Sequence, residues 1–507
     1  MRARTPSVAA IALAIALVAL GAWRAACVLA GPDVDTDAYA HHMIARAILA
    51  DPHDLAVHWV WLPLFHYLQV PLVALGGTMT DVRWVNVILA AALPVVLFAY
   101  VRRTAKRGES GMSADATALL AALFAAACPI AMQMGTTAQP EPLFALLMLG
   151  VAVAYERRRY GAAAAMLAAA VVLRYEAWAT LATVAALAAV EPWWRRRRGL
   201  PAEREGWRAW IVVAVPVALI LVWAAFRRPV DGRWFGFLRQ THEFAAGATH
   251  EETALDGGAL RLLRDVLYYP LVVPLRVMGP CLPLVPFGVA RTVREQGARF
   301  VLVLASCLGF VSLTWVMRSS LGLDRHFVVV VPLYATFAAQ GAAALADSAT
   351  RLARRVRGPQ AARVGRSVAA AVSVLTLGGL FVALDVWMGF WKGSIERGWP
   401  HRVELGAYLR TLPDGPTIFC DDATIEILSG VDRHRFDRHW TDDAHTWTLV
   451  ADAARARGVA YVATWADKLR GHEGAGDVVF RVRENETDAT SGLAVLRVNG
   501  DGSHAAR

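Results

Sequence analysis

Apolar runs of roughly 20 residues, the length at which a helix crosses ~30 Å of hydrocarbon, recur through the first three quarters of the chain. They fall near 8–29, 84–101, 113–131, 141–155, 160–173, 176–193, 209–226, 265–290, 299–316, 326–346 and 367–389. The pattern predicts an α-helical polytopic membrane protein with about eleven transmembrane helices, three of them short and crowded between 141 and 193. After about Phe390 the apolar runs shorten to strand length, in Thr417-Ile418-Phe419-Cys420, Val459-Ala460-Tyr461-Val462, Val478-Val479-Phe480 and Leu493-Ala494-Val495-Leu496, between helical patterns such as 402–411 and 444–457. Strands alternating with helices predict a small α/β domain. The expected organisation is therefore a transmembrane module over 1–390 and a soluble C-terminal α/β domain over 391–507.

Composition excludes a soluble chain. Hydrophobic residues make up 56% and charged residues only 19% of the 507 positions, a surface that could not be kept wet. The net charge of +10 calls for no nucleic-acid partner, because it is laid out as a topology signal. With the N-terminus inside, the cytoplasmic pieces 2–4, 102–107, 157–159, 195–208, 291–299 and 351–366 carry 24 Lys and Arg, against 11 in the longer outer loops up to residue 325. An odd number of spans then puts the C-terminal domain on the outer, periplasmic side of a bacterial inner membrane. A cleaved signal peptide would share the basic start and apolar core of the first run, but that run is long and the basic loops alternate correctly only if it stays. Five cysteines, at 27, 128, 281, 307 and 420, lie far apart, and only Cys420 falls in the expected outer domain, so no disulfide framework forms there. Asp421 and Asp422 follow a strand end, where α/β folds often bind ligands, but without a glycine-rich loop a solvated turn is the simpler reading.

Candidate chemistry concentrates where the first apolar run ends. Asp33, Asp35, Asp37, Tyr39, His41 and His42 follow at once, then Trp59, Trp61, Pro63 and His66, and five of the 14 histidines fall between His41 and His66. Carboxylates so close to a bilayer need a partner, a metal or a substrate. If a helix starts after Pro32 with Asp35 or Thr36 as N-cap, Asp37 and His41 stand four apart on one face. Asp37 could then serve as a general base, or Asp35, Asp37 and His41 could hold a divalent metal ion, although their spacings match no strong metal signature. A merely solvated acidic helix start explains the acids too, and hydrogen-bonding roles explain most of the histidines. Trp59, Trp61, Phe65 and Tyr67 around Pro63 read as a helix lying in the membrane interface.

These residues carry a resemblance. The chain resembles the GT-C class of integral-membrane glycosyltransferases, the group of the protein O-mannosyltransferases, the aminoarabinose transferases and the bacterial family 39-like enzymes. Those enzymes place an essential Asp in the first outer loop, in a pattern like D-x-x-Y followed by an A-R-x-L helix. Here Thr36-Asp37-Ala38-Tyr39 leads without a gap to Ala45-Arg46-Ala47-Ile48-Leu49. Trp61-Leu62-Pro63-Leu64 with His66 resembles their W-x-P-L segment, Gln139-Pro140-Glu141-Pro142-Leu143-Phe144 an outer turn, Arg174-Tyr175-Glu176 their R-x-E/D turn, and Asp324-Arg325-His326-Phe327 with Pro332 the opening of a late span.

The resemblance implies an inverting transfer of a sugar from a polyprenyl-phosphate donor to a glycan, lipid or protein acceptor at the outer face. Asp37 would be the catalytic residue with Asp35 in reserve, and Arg325 and Arg174 would bind the donor phosphate. Tyr39, His41, His66, Glu141, Glu176 and His326 would line the pocket. Thr36 replaces the second acid of the common D-E form, so the metal requirement stays open. A transporter or lipid flippase would instead place charges or broken helices at matching midplane positions of two repeats; here the polar residues gather at outer span ends. An assembly or sensor protein with an outer domain would leave the loop acids unexplained. Loop 227–264, with Trp234, Phe235, His242, Glu243, Glu251 and Glu252, would suit an acceptor-side cover or a plain polar loop.

Overall fold

The structure is a computed structural model that describes residues 7–106, 112–199, 206–249, 258–357, 360–420, 422–437, 458–466, 476–483 and 492–498. Asp421, Glu251, Glu252 and the helix expected over 444–457 lie outside the described residues. The chain forms two compact units: Met1–Gly31 with Ala45–Gly393, and Pro32–Ile44 with Ser394–Arg507.

The helices in chain order are α1 Val8–Ala30, α2 Thr36–Ala50, α3 Leu64–Ala74, α4 Met79–Thr104, α5 Ala114–Ala126, α6 Pro129–Met134, α7 Glu141–Glu156, α8 Tyr160–Val171, α9 Glu176–Arg197 and α10 Ile211–Asp231. They continue as α11 Gly236–Thr249, α12 Ala259–Leu267, α13 Val273–Met278, α14 Val285–Gln296, α15 Ala298–Val316, α16 Val331–Arg357, α17 Ala361–Arg397, α18 Pro400–Thr411 and α19 Ala423–Ser429. All eleven expected segments are helical. Among the described residues seven stretches are long and apolar enough to cross a membrane, and the segments at 113–131, 141–155, 160–173 and 176–193 are shorter or less apolar. The protein is a multi-pass membrane protein.

Two expected spans are broken, and proline accounts for both. The run 113–131 ends as α5 before Cys128 and restarts as α6 with Pro129 at its first position, where a missing N–H costs nothing. The run 265–290 holds five prolines and resolves into α12, a π-helical turn Tyr268–Val272, α13, a 3-10 turn Gly279–Leu284 and α14. Helix starts are capped where the sequence supplies oxygen: Ser7 accepts from Ala10 N, Ser113 accepts from Ala116 N, and Thr78 with Asp81 forms a capping box. The segment Asp324–Arg355, which holds most of α16, is the most enclosed, while α17 exposes Val374, Leu375, Val382, Val386 and Phe390, as a lipid-facing helix does.

In the second unit five strands, β1 Ile418–Cys420, β2 Phe436–Asp437, β3 Tyr461–Trp465, β4 Gly476–Val482 and β5 Leu493–Val498, form one sheet in the order β2-β1-β3-β5-β4. β1 pairs in parallel with β2 and β3, and β5 is antiparallel to β3 and β4. Leu405 and Leu409 of α18 and Ile425 of α19 pack with Ile418, Leu493 and Val495 of the sheet. The α/β reading of this part holds.

Candidate active site

The first loop forms a capped helix start. Asp35 Oδ1 accepts from Asp37 N at 3.1 Å, so Asp35 is the N-cap of α2 and Asp37 lies in its first turn, where a carboxylate meets the positive end of the helix. Asp33 Oδ1 accepts from Asp35 N at 3.1 Å, and the Tyr39 hydroxyl donates to Asp33 O at 2.9 Å. Tyr39, His41 and His42 are buried, Asp37 is half-buried, and the Tyr39 ring meets Trp399 with centroids 5.7 Å apart. Three of the acids thus build one another's backbone, a use that their spacing alone did not reveal. Among the described residues no three His, Cys, Asp or Glu side chains stand together as a metal site, and Asp35 Oδ1 is already engaged.

In the membrane unit three turns far apart in sequence meet in a buried network of charges. Glu141 opens α7, Arg174 lies in the turn between α8 and α9, Glu176 opens α9, and Arg325 lies in the 3-10 turn Asp324–Val330 before α16. Arg174 donates from Nη1 to Glu141 Oε1 at 2.5 Å, from Nη2 to Glu176 Oε1 at 2.8 Å and from Nε to both oxygens of Glu176 at 3.1 and 3.2 Å. Burial works against the guanidinium's charge, but Glu176 and Glu141 outweigh it and hold the Arg174 pKa above its ordinary value. Arg325 Nε stands 3.6 Å from Glu141 Oε1, an ion pair beyond hydrogen-bond range. Side-chain exposure is 3% for Glu141, 6% for Glu176, 16% for Arg174 and 14% for Arg325. His326 follows Arg325 and lies parallel to Tyr269, with centroids 6.5 Å apart.

The turn 136–140 that presents Glu141 is pinned from α4. Arg83 donates from Nε to Thr136 O at 2.7 Å and from Nη1 to Gly31 O at 2.6 Å, while Asn86 Nδ2 donates to Thr137 O and Gln139 O, both at 2.7 Å. Neither residue stood out in the sequence, where each is one polar position at the start of an apolar run.

His66 belongs to a different cluster. Its Nδ1 lies 2.9 Å from His58 Nδ1, beside Trp223, and the Arg227 guanidinium nearby pairs with Asp231 at 2.6 Å. Burial, then the charge of Arg227, push the His58 pKa down to about 3. Trp59 and Trp61 do not lie on an interface helix as expected: a 3-10 turn Leu55–His58 precedes them and α3 begins only at Leu64. Pro63 just before α3 and the 3-10 turn consume the residues an interface helix would need.

The fold that carries these clusters is the GT-C fold of integral-membrane proteins. It is shared with ArnT from Cupriavidus metallidurans bound to undecaprenyl phosphate, at TM-score 0.59 and 14% identity over 96% of this chain and 97% of that one. It is shared too with the oligosaccharyltransferase of Archaeoglobus fulgidus in the apo form, at 0.56 and 10% identity over 90% of this chain and 70% of that one. The archaeal oligosaccharyltransferase AglB from Archaeoglobus fulgidus, in complex with an inhibitory peptide and a dolichol-phosphate, gives 0.53 at 11% identity over 91% of this chain and 70% of that one. No protein-family model matches the chain, and no curated protein matches its sequence.

Proposed function

We propose that this chain is a glycosyltransferase that moves a sugar from a polyprenyl-phosphate donor to an acceptor at the outer face of a bacterial inner membrane, with inversion. The observation that carries the reading is the buried network Glu141, Arg174, Glu176 and Arg325 at span ends, on a fold whose solved examples include complexes with undecaprenyl phosphate and dolichol-phosphate. Buried charges in a membrane bundle are costly and mark binding sites.

In the reaction an acceptor hydroxyl or amine attacks the anomeric carbon, the bond from that carbon to the phosphate oxygen breaks, and the acceptor's proton passes to the Asp37 carboxylate. Arg325 stabilises the negative charge that develops on the departing phosphate, since a fixed cation aimed at developing charge is commonly the largest catalytic contribution. Arg174 gives its donors to two carboxylates, so its part is to hold Glu141 and Glu176 in place beside Arg325. No step is routed through a metal ion.

The test is release of free polyprenyl phosphate from polyprenyl-phosphate sugars offered with a membrane extract. Wild type turns over; Asp37→Asn, with folding intact, loses at least ~10²-fold. Equal turnover by Asp37→Asn moves the base to Asp35, tested by Asp35→Asn. Absence of turnover with every donor sinks the transferase reading and favours a transporter.

A further inference from the structure

Between Asp54 and Leu64 the chain leaves helical geometry at a cost. Asp54 caps the 3-10 turn Leu55–His58, and at its end Trp59 takes φ 45° and ψ −114°, a backbone position that a bulky L-residue avoids. Such strain persists only where the surroundings over-determine it. Here they do. Arg227, buried and paired with Asp231, donates to Leu55 O at 2.7 Å and to Trp59 O at 3.4 Å. The next carbonyl, Val60 O, accepts from the Tyr175 hydroxyl at 3.0 Å and from Thr241 Oγ1 at 3.2 Å.

The locked backbone sets an aromatic corner. The Trp59 ring stands edge-on to Trp61, with centroids 5.7 Å apart at 79°, and edge-on to Phe244 of α11, 4.9 Å apart at 70°. All three residues are half-buried. An aromatic that only anchors a protein at the bilayer surface needs no strained backbone and no buried ion pair to aim it. The corner also has a fixed neighbour, because Tyr175, which pins Val60, stands between Arg174 and Glu176, and Leu64 N donates to Val172 O of the same turn at 3.0 Å. The aromatic segment therefore runs along the turn that carries the charged network.

Resting on the donor reading above, we infer that Trp59, Trp61 and Phe244 form the subsite that stacks the pyranose ring of the donor sugar. A pyranose has an apolar face of polarised C–H bonds and a polar edge of hydroxyls. The negative face of an aromatic ring suits the first, and Arg239 and Glu243 of α11, an ion pair at 3.4 Å, offer charge for the second. The sugar is bonded directly to the phosphate, so its subsite must lie near the phosphate-binding Arg325, and this corner adjoins the turn whose Arg174 holds Glu141, the carboxylate paired with Arg325.

The experiment compares dissociation constants for two kinds of probe, a panel of short-chain prenyl-phosphate pyranoses and the same prenyl phosphate without sugar. Trp61→Ala, at an unstrained position, and Trp59→Ala each weaken the best sugar-bearing probe by about tenfold, the scale of one lost stacking contact, and leave the sugar-free probe unchanged; Trp59→Phe retains most of the binding. Equal loss on both probes, the mark of an interface anchor, overturns the subsite, as does no loss on either. Wild type that binds both probes equally also overturns the subsite but keeps the donor reading. Wild type that binds neither overturns the donor reading itself.

Discussion

His58 records in one side chain what burial does to a titratable group. Its neutral form is held against protonation down to about pH 3, because a second charge would have to sit in apolar surroundings beside Arg227. In the unfolded chain the same ring takes its proton near the ordinary value of about 6.5. The folded pKa is the lower one, so stability is full above the unfolded value and falls as pH drops from about 6.5 towards 3, by up to ~1.4 kcal/mol per pH unit from this group alone. The thermal midpoint of wild type should therefore fall more steeply on acidification than that of His58→Gln, and parallel curves would remove His58 from the account. Arg174 shows the opposite balance, a buried charge kept by two carboxylates. Arg174→Gln takes from Glu176 its bidentate partner and leaves Glu141 the longer pair with Arg325, and should cost about 3–5 kcal/mol in unfolding measurements, as breaking buried pairs does; Arg174→Lys should rescue little, since three nitrogens are engaged in a fork that an ammonium cannot copy. The Arg174 and Glu176 pair could be read from the sequence because it is two residues long. Its third member, Glu141, is 33 residues away, and only the meeting of turns reveals it.

Among the elements, the contact of α14 with α16 is the one most tightly set by residue identity. A Cβ added at Gly288 would lie 1.8 Å from Phe337 O, and one at Gly341 would lie 2.0 Å from Leu284 O. Backbone cannot yield as a flexible side chain can, so the two helices approach through facing glycines, as small residues allow in membrane bundles. Gly288→Ala should lower the thermal midpoint by the equivalent of ~3 kcal/mol or more. Gly309→Ala in the adjoining α15 meets nothing within 4 Å, and should be neutral or stabilising by up to ~1 kcal/mol, since alanine favours helix. If both variants melt alike, the close approach is wrong. The positions of the spans could be read from apolar runs, because burial in lipid leaves a long and uniform signal. The breaks at 113–131 and 265–290 could have been read from Pro129 and the five later prolines, which run length outweighed. The strain at Trp59 had no sequence signal, because it depends on Arg227, 168 residues further along.

For the whole molecule the charged network makes a check on topology that composition does not contain. Glu141, Arg174 and Arg325 touch, so the chain must cross the bilayer an even number of times between each pair. The expected spans 141–155 and 160–173 give two crossings between Glu141 and Arg174. Those at 176–193, 209–226, 265–290 and 299–316 give four between Glu176 and Arg325. The short helices α7 and α8, too short to pass a test of length, are thereby argued into the membrane as a pair, and α9 with them. Parity does not say which face holds the network; the excess of Arg and Lys in 102–107, 157–159, 195–208, 291–299 and 351–366 predicts the outer one. Reporter fusions separate the two statements. Alkaline phosphatase joined after residue 77, 232 or 320, or at the C-terminus, should be active, and a fluorescent protein joined after residue 106, 199 or 357 should glow. Fluorescence at both 199 and 232 would remove 209–226 as a span and break the even count between Glu176 and Arg325. A complete reversal would keep the count, and with it the network, while placing the reaction on the cytoplasmic face.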